Sequence, residues 1–170
     1  MHVRTATAED ASAIRRVHRD AILELGPEAY SDRQVEAWAG GVDDAEDADY
    51  AAVITDDSMA YIVAEIDDEV VAFGSLCVDA PEDYGASVDG EVTGVYVHSS
   101  VARSGVGTAV ITELERRAQD HGLGAVGLEA SLNAVPFYEA HGYERVRELR
   151  HEFSAPSGVE GTVVEMRKVL

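Results

Sequence analysis

The chain has 170 residues and a mass of 18.2 kDa, and it is 46% hydrophobic with 15 glycines and 4 prolines. That make-up suits one globular domain over residues 1–170 and excludes a disordered or fibrous chain. Thirteen basic side chains against 33 acidic ones leave a net charge of −20, which disfavours nucleic acid and anionic membrane as partners.

No apolar run approaches the ~20 residues that span a bilayer. The opening Met1-His2-Val3-Arg4-Thr5 has no charged-then-apolar secretory pattern, so a cytoplasmic location is expected. Cys77 is the single cysteine, which excludes an intrachain disulfide and a cysteine-based metal cluster. Lys168 is the only lysine, and from Gln34 to Ala102 there are 17 acidic residues and no Lys or Arg. Two explanations compete: the solvated acidic surface of a halophile, or an acidic face that attracts cations. The spread of the acids over several loops, with lysine nearly absent throughout, favours the halophile.

In chain order, His2 to Ala6 alternate as a short strand, and Thr7-x-x-Asp10 has the form of a helix-start box. Ile14, Val17, His18, Ala21, Ile22 and Leu25 follow at helical spacing, and Gly26-Pro27 stops them. Ser31-x-x-Gln34 opens a second, short helix carrying Val35 and Trp38, which Gly40-Gly41 is expected to close. Asp43 to Asp49 reads as loop, or as loop with part of it helical. Tyr61–Ile66 and Val70–Val78 are β-rich runs joined by Asp67-Asp68-Glu69 as an antiparallel hairpin. After a loop with Pro81 and Gly85, Glu91–Val97 is a further strand. Val106, Val110, Leu114 and Ala118 mark an amphipathic helix over Gly105–His121, ended by Gly122. Ala125–Ala130 is a strand, Val135–His141 a short helix, and Tyr143–Phe153 and Thr162–Val169 are the last strands. Helices mixed among these strands predict an α/β (α+β) fold, not a doubly wound one.

The stretch Val95-Tyr96-Val97-His98-Ser99-Ser100-Val101-Ala102-Arg103-Ser104-Gly105-Val106-Gly107-Thr108 runs from a buried strand through a glycine loop into a helix. Successive N–H groups and the helix dipole then converge, which makes an anion or phosphate cradle. Glycine admits close approach of the phosphate oxygens, and Arg103 adds a charge-assisted contact. Gly105 and Gly107 fit equally well as the shape of a tight strand-to-helix turn. The pattern is neither a P-loop nor a full dinucleotide fingerprint, since Val110 stands at the third glycine position.

About two dozen residues on comes Leu128-Glu129-Ala130-Ser131-Leu132-Asn133-Ala134-Val135-Pro136-Phe137-Tyr138-Glu139-Ala140-His141-Gly142-Tyr143. Together the two segments resemble the GNAT superfamily of acyl-CoA-dependent N-acetyltransferases. Its acyl-CoA motif is Gln/Arg-x-x-Gly-x-Gly/Ala after a strand, and its later motif sets an aromatic-Tyr pair before Gly-aromatic. The resemblance covers roughly Val3 to Phe153. Tyr30-Ser31 and Glu36-Ala37-Trp38 are also similar to substrate-side helices of a bacterial and archaeal subgroup. What the resemblance implies is a GNAT-like fold with a mixed, mostly antiparallel sheet, and acetyl-CoA as co-substrate. The Val95, Tyr96 and Val97 backbone would pair with the pantetheine arm, and Arg103, Ser104, Gly105, Val106, Gly107 and Thr108 would hold the pyrophosphate. Ala102 stands at the family's Gln/Arg position. Ser131 stands at the usual Asn position with Asn133 two residues on, and either of the two is a candidate cofactor contact.

The chemistry implied is direct attack of an amine on the thioester. The Val97 N–H would stabilise the oxyanion, and Tyr138 would protonate the sulfur as general acid. Glu91, at the start of its strand, is the candidate base, with His98 as second candidate. The six histidines show no metal-ligand spacing, so no metal is expected, and Cys77 reads as core. A highly anionic cofactor on an acidic protein requires local positive potential, expected from Arg103, Arg116, Arg117 and the helix start. The acceptor would be a small-molecule or peptide amine, and the terminal strands are free to pair in a homodimer. Two alternatives share the same cradle: a non-catalytic acyl-CoA-binding sensor, and an acyltransferase using a larger acyl-CoA. If the acidic surface is a salt adaptation, the protein unfolds more readily at low salt than in molar KCl; equal stability in the two overturns that reading.

Overall fold

Seven strands form one sheet in the computed structural model, which describes residues 1–170. The strands are β1 (His2–Thr5), β2 (Met59–Ile66), β3 (Glu69–Cys77), β4 (Gly90–Val97), β5 (Ala125–Ser131), β6 (Glu144–Glu152) and β7 (Glu160–Val169). Their order across the sheet is β1-β2-β3-β4-β5-β7-β6. Every neighbouring pair is antiparallel except β4–β5, which is parallel. This is the mixed, mostly antiparallel α/β architecture expected from the sequence. The five helices are α1 (Ala11–Leu25), α2 (Asp32–Asp44), α3 (Asp47–Ile54), α4 (Val106–Asp120) and α5 (Val135–Ala140). No helix is long and apolar enough to cross a membrane.

Local chemistry accounts for most boundaries. The Asp10 carboxylate accepts the Thr7 N–H at 2.7 Å, and a short 3₁₀ turn leads into α1. Ser31 and Gln34 cap α2 reciprocally, the Ser31 N–H donating to Gln34 Oε1 at 2.9 Å. Asp67 and Asp68 both take positive φ, 51° and 62°, in the two-residue turn that joins β2 to β3.

One expectation fails and another holds only in part. Gly40-Gly41 does not end α2, which runs on to Asp44. Gly41 instead lets a neighbour approach: a Cβ there would lie 2.3 Å from Ser154 Oγ, which accepts the Gly41 N–H. The segment after it is helical in part, as the second reading of Asp43 to Asp49 allows: α2 takes in Asp43 and Asp44, and α3 begins at Asp47 and runs on to Ile54. α3 starts on a Glu46–Asp49 box, with the Glu46 N–H on the Asp49 carboxylate at 2.7 Å. Its capping acids look like loop in sequence, and only Ile54 is buried.

The helices cover both faces. On one face α4 and α5 bury Val110, Ile111, Leu114 and Val135 against Ile62, Leu76, Leu128 and Met166. On the other, α1 and α3 bury Ile14, Val17 and Ile54 against Val63 and Phe73, while α2 packs Val35, Ala39 and Val42 beside Ile22 and Phe153.

β4 and β5 pair at only two positions, Gly90↔Val126 and Glu91↔Gly127, and then separate. The cause lies on the other side of β4. Ser75 pairs with Gly94 and Leu76 with Val92, so Thr93 is an extra residue and β4 bulges there. A bulge bends its strand and reverses the alternation of side chains beyond it. Val92 packs with the α4 layer, and so do Val95 and Val97, while Tyr96 turns toward α1 and α2.

Candidate active site

The gap between β4 and β5 opens into a cavity of about 530 Å³. Its walls come from β4 (Val95, Tyr96, Val97), the start of α4 (Gly105, Gly107, Thr108), the end of β5 and α5 (Ser131, Asn133, Phe137, Tyr138), and α1 with Trp38 of α2.

Backbone groups supply much of its polarity. The His98 N–H donates to the Val71 carbonyl at 2.8 Å, and Tyr96 stands opposite Phe73. Antiparallel alternation then turns the Val95 and Val97 N–H groups away from β3, into the gap that β5 has left. Of the three β4 residues, Tyr96 thus has its backbone committed to β3 and contributes its ring instead. At α4 the first intrahelical bond is from the Ala109 N–H to the Gly105 carbonyl, 3.1 Å. The N–H groups of Val106, Gly107 and Thr108 are therefore free at the positive end of the helix dipole.

The two glycines have different reasons. Gly105 sits at φ +90°, a left-handed conformation, with nothing near an added Cβ. Gly107 lies under Phe137, 3.3 Å from where its Cβ would be. Two other loop side chains stay out of the cavity: Ser104 Oγ donates to the Val101 carbonyl at 2.5 Å, and Val106 is buried in the core.

Tyr138 is 6% exposed, and its ring packs edge-on against Phe137 and Tyr143. Burial, with the nearby Tyr96, pushes its phenol well above the ordinary tyrosine range. It is a neutral O–H donor at pH 7. Ser131 and Asn133 both reach the cavity. The Asn133 Nδ2 donates to the Leu25 carbonyl at 3.3 Å, whereas its Oδ1 is buried without a partner.

The expected basic cluster is not there. Arg116 and Arg117 lie in the last turns of α4, roughly 15 Å along the axis from its start at ~1.5 Å per residue. They pair with Glu113 at 2.8 and 2.9 Å, Arg116 also with Asp120. That leaves Arg103, 85% exposed at φ 61° and paired with Glu28 at 3.2 Å. The positive potential at this site is mainly that of the helix start.

The two candidate bases separate. His98 Nδ1 accepts the Ser100 N–H, and its Nε2 faces Asp20 at 3.8 Å, on α1 and outside the cavity walls. Glu91 lines a second cavity of about 180 Å³ on the α1/α2 face of the sheet, with Trp38, Tyr96 and Ser131 common to both cavities. Burial, with Glu129 and Glu165, raises its carboxyl above the usual range. Cys77 lines neither cavity. No group of three or more His, Cys, Asp or Glu is placed to hold a metal ion.

Sequence reasoning missed His18 as a support. Its ring lies 4.1 Å from that of Tyr96, its Nδ1 meets the Tyr50 hydroxyl at 2.8 Å, and burial lowers its pKa to about 4. It is a neutral buttress at pH 7. Helical spacing placed it on the packed face of α1 but gave no sign of what it would touch.

Residues 20–143 match the model of the Acetyltransferase (GNAT) family. A GCN5-related N-acetyltransferase from Rhodopseudomonas palustris superposes with a TM-score of 0.82 at 26% identity, over 99% of this chain and 95% of that one. The PaiA N-acetyltransferase of Thermoplasma acidophilum, solved in complex with coenzyme A, gives 0.75 at 17% identity over 99% and 98%. YncA of Salmonella typhimurium, solved with its cofactor acetyl-CoA, gives 0.71 at 18% over 100% and 94%. No curated protein matches the chain. A branched side chain cannot take the Gly105 conformation without strain, so Gly105→Val is expected to lower stability by about 1–2 kcal/mol in urea unfolding.

Proposed function

Because the chain belongs to the GNAT acetyltransferase family, we propose that it transfers an acetyl group from acetyl-CoA to a primary amine by direct attack. The observation that carries this is the parting of β4 from β5, which brings the free Val95 and Val97 N–H groups, the open start of α4 and the Tyr138 phenol around one cavity. The residues present fit the cofactor: the cradle at Gly105–Thr108 suits phosphate oxygens, and the buried Asn133 Oδ1 lacks a donor. When bound, acetyl-CoA supplies the activated thioester.

The Val95 and Val97 backbone would hold the pantetheine arm, and the Val97 N–H would donate to the carbonyl oxygen as negative charge develops there. Glu91 would take one proton from the ammonium, leaving the lone pair free to attack. As the C–N bond forms and the C–S bond breaks, Tyr138 would give its proton to sulfur, and the second nitrogen proton would restore the phenol. One proton leaves for solvent through Glu91. Arg103 would exchange Glu28 for phosphate, and high salt would assist by screening that exposed pair. A salt-rich cytoplasm accords with the −20 charge.

Free-thiol release from acetyl-CoA over an amine panel tests the reading; a wild-type protein that does not bind acetyl-CoA overturns it, and tight binding without turnover selects the sensor. Longer acyl-CoAs in the same assay set the chain preference. Tyr138→Phe is expected to lower kcat by about 10²–10⁴-fold with little change in acetyl-CoA affinity. A base works only when deprotonated, so kcat/KM is expected to fall with falling pH through a Glu91 ionisation raised above the usual carboxylate range. Glu91→Gln should abolish that acid limb in a pH–rate profile.

A further inference from the structure

The second cavity has a composition that the acetyl-transfer reading alone does not explain. It lies on the α1/α2 face of the sheet, walled by Trp38, Tyr96, Phe153 and Val163, and its polar groups include Glu91, Glu129 and His151. Trp38 stacks on Phe153 with ring centroids 5.4 Å apart and meets Tyr96 edge-on at 6.4 Å. The walls thus suit an alkyl chain or a cation against aromatic faces.

The sheet register arranges the charges. Glu91 pairs with Gly127, so Glu129, two residues further along β5, is its diagonal neighbour on the same face. Glu129 in turn stands directly opposite Glu165 of β7. Of the three carboxylates only Glu165 is neutralised, by two hydrogen bonds from Arg147 at 2.8 Å, and it also accepts the Gly85 N–H at 3.0 Å. Glu129 has His151 Nδ1 at 3.5 Å, and Glu91 has no hydrogen-bond or ion-pair partner. Like charges on neighbouring strands cost stability. A cationic occupant of the cavity offsets that cost.

We propose that this cavity is the acceptor site and that its preferred acceptor is a short alkyl diamine, with the reacting amine at Glu91 and the second ammonium at Glu129. The inference rests on the acetyl-transfer reading and adds the substrate class. Tyr96, Trp38 and Ser131 wall both cavities, so an amine at Glu91 lies on the side from which the thioester is reached. Glu91 and Glu129 line the same cavity, so a chain of a few methylenes between the two ammonium groups spans it. The volume of about 180 Å³ suits such a chain.

The test compares butylamine with 1,4-diaminobutane on the full-length protein with acetyl-CoA, by thiol release. The diamine is expected to have about a tenfold higher kcat/KM, and Glu129→Gln to bring the ratio of the two amines close to unity. A wild-type measurement adds a check free of any folding defect. N-acetyl-1,4-diaminobutane has lost one charge, so it accumulates and is acetylated again no faster than butylamine. Equal rates for the two amines, or a diamine advantage that survives in Glu129→Gln, overturns the diamine assignment and leaves acetyl transfer standing. Absence of thiol release with every amine, despite bound acetyl-CoA, removes the acetyl-transfer reading and this inference with it.

Discussion

One extra residue in β4 governs the site. Thr93 has no counterpart on β3, and the bulge it makes bends β4 away from β5 immediately after their second residue pair. Without that bend, β5 would take up the Val95 and Val97 N–H groups in an ordinary ladder, and the gap would be closed sheet. The same residue decides which way side chains point. An unbroken alternation from Val92 would put Tyr96 among the α4 side chains; the bulge sends it toward α1, where it walls both cavities and rests on His18.

The electrostatics are local within a strongly negative whole. At the start of α4, three free N–H groups and the helix dipole do what the expected arginines do not, because Arg116 and Arg117 are held by Glu113 at the far end of the helix. Helix periodicity predicts which residues share a face. It does not make ten residues of rise disappear. On the α1/α2 face the imbalance runs the other way, with three carboxylates on β4, β5 and β7 and one arginine, Arg147, which among the three pairs with Glu165 alone.

Much of the frame was legible in the chain. Strand alternation, the Thr7–Asp10 and Ser31–Gln34 boxes and the glycine loop are local signals, and each formed close to where it was expected. Local signals also misled. Gly40-Gly41 looked like a stop, but a helix accepts glycine when close packing, here against Ser154, holds the backbone. α3 was legible only in part because its capping acids are the same residue types that make a solvated loop.

By itself the sequence determined the order of the strands and of the four helices other than α3, the glycine loop that opens α4 and the two motifs that mark the family, because each depends on residues near one another in the chain. Only the tertiary structure decided that β4 parts from β5, that Glu91 and not His98 lines one of the two cavities described, and that Glu129 stands diagonal to Glu91. Those outcomes follow from strand register, and register is fixed by long-range pairing in which a single inserted residue exchanges the two faces of the sheet.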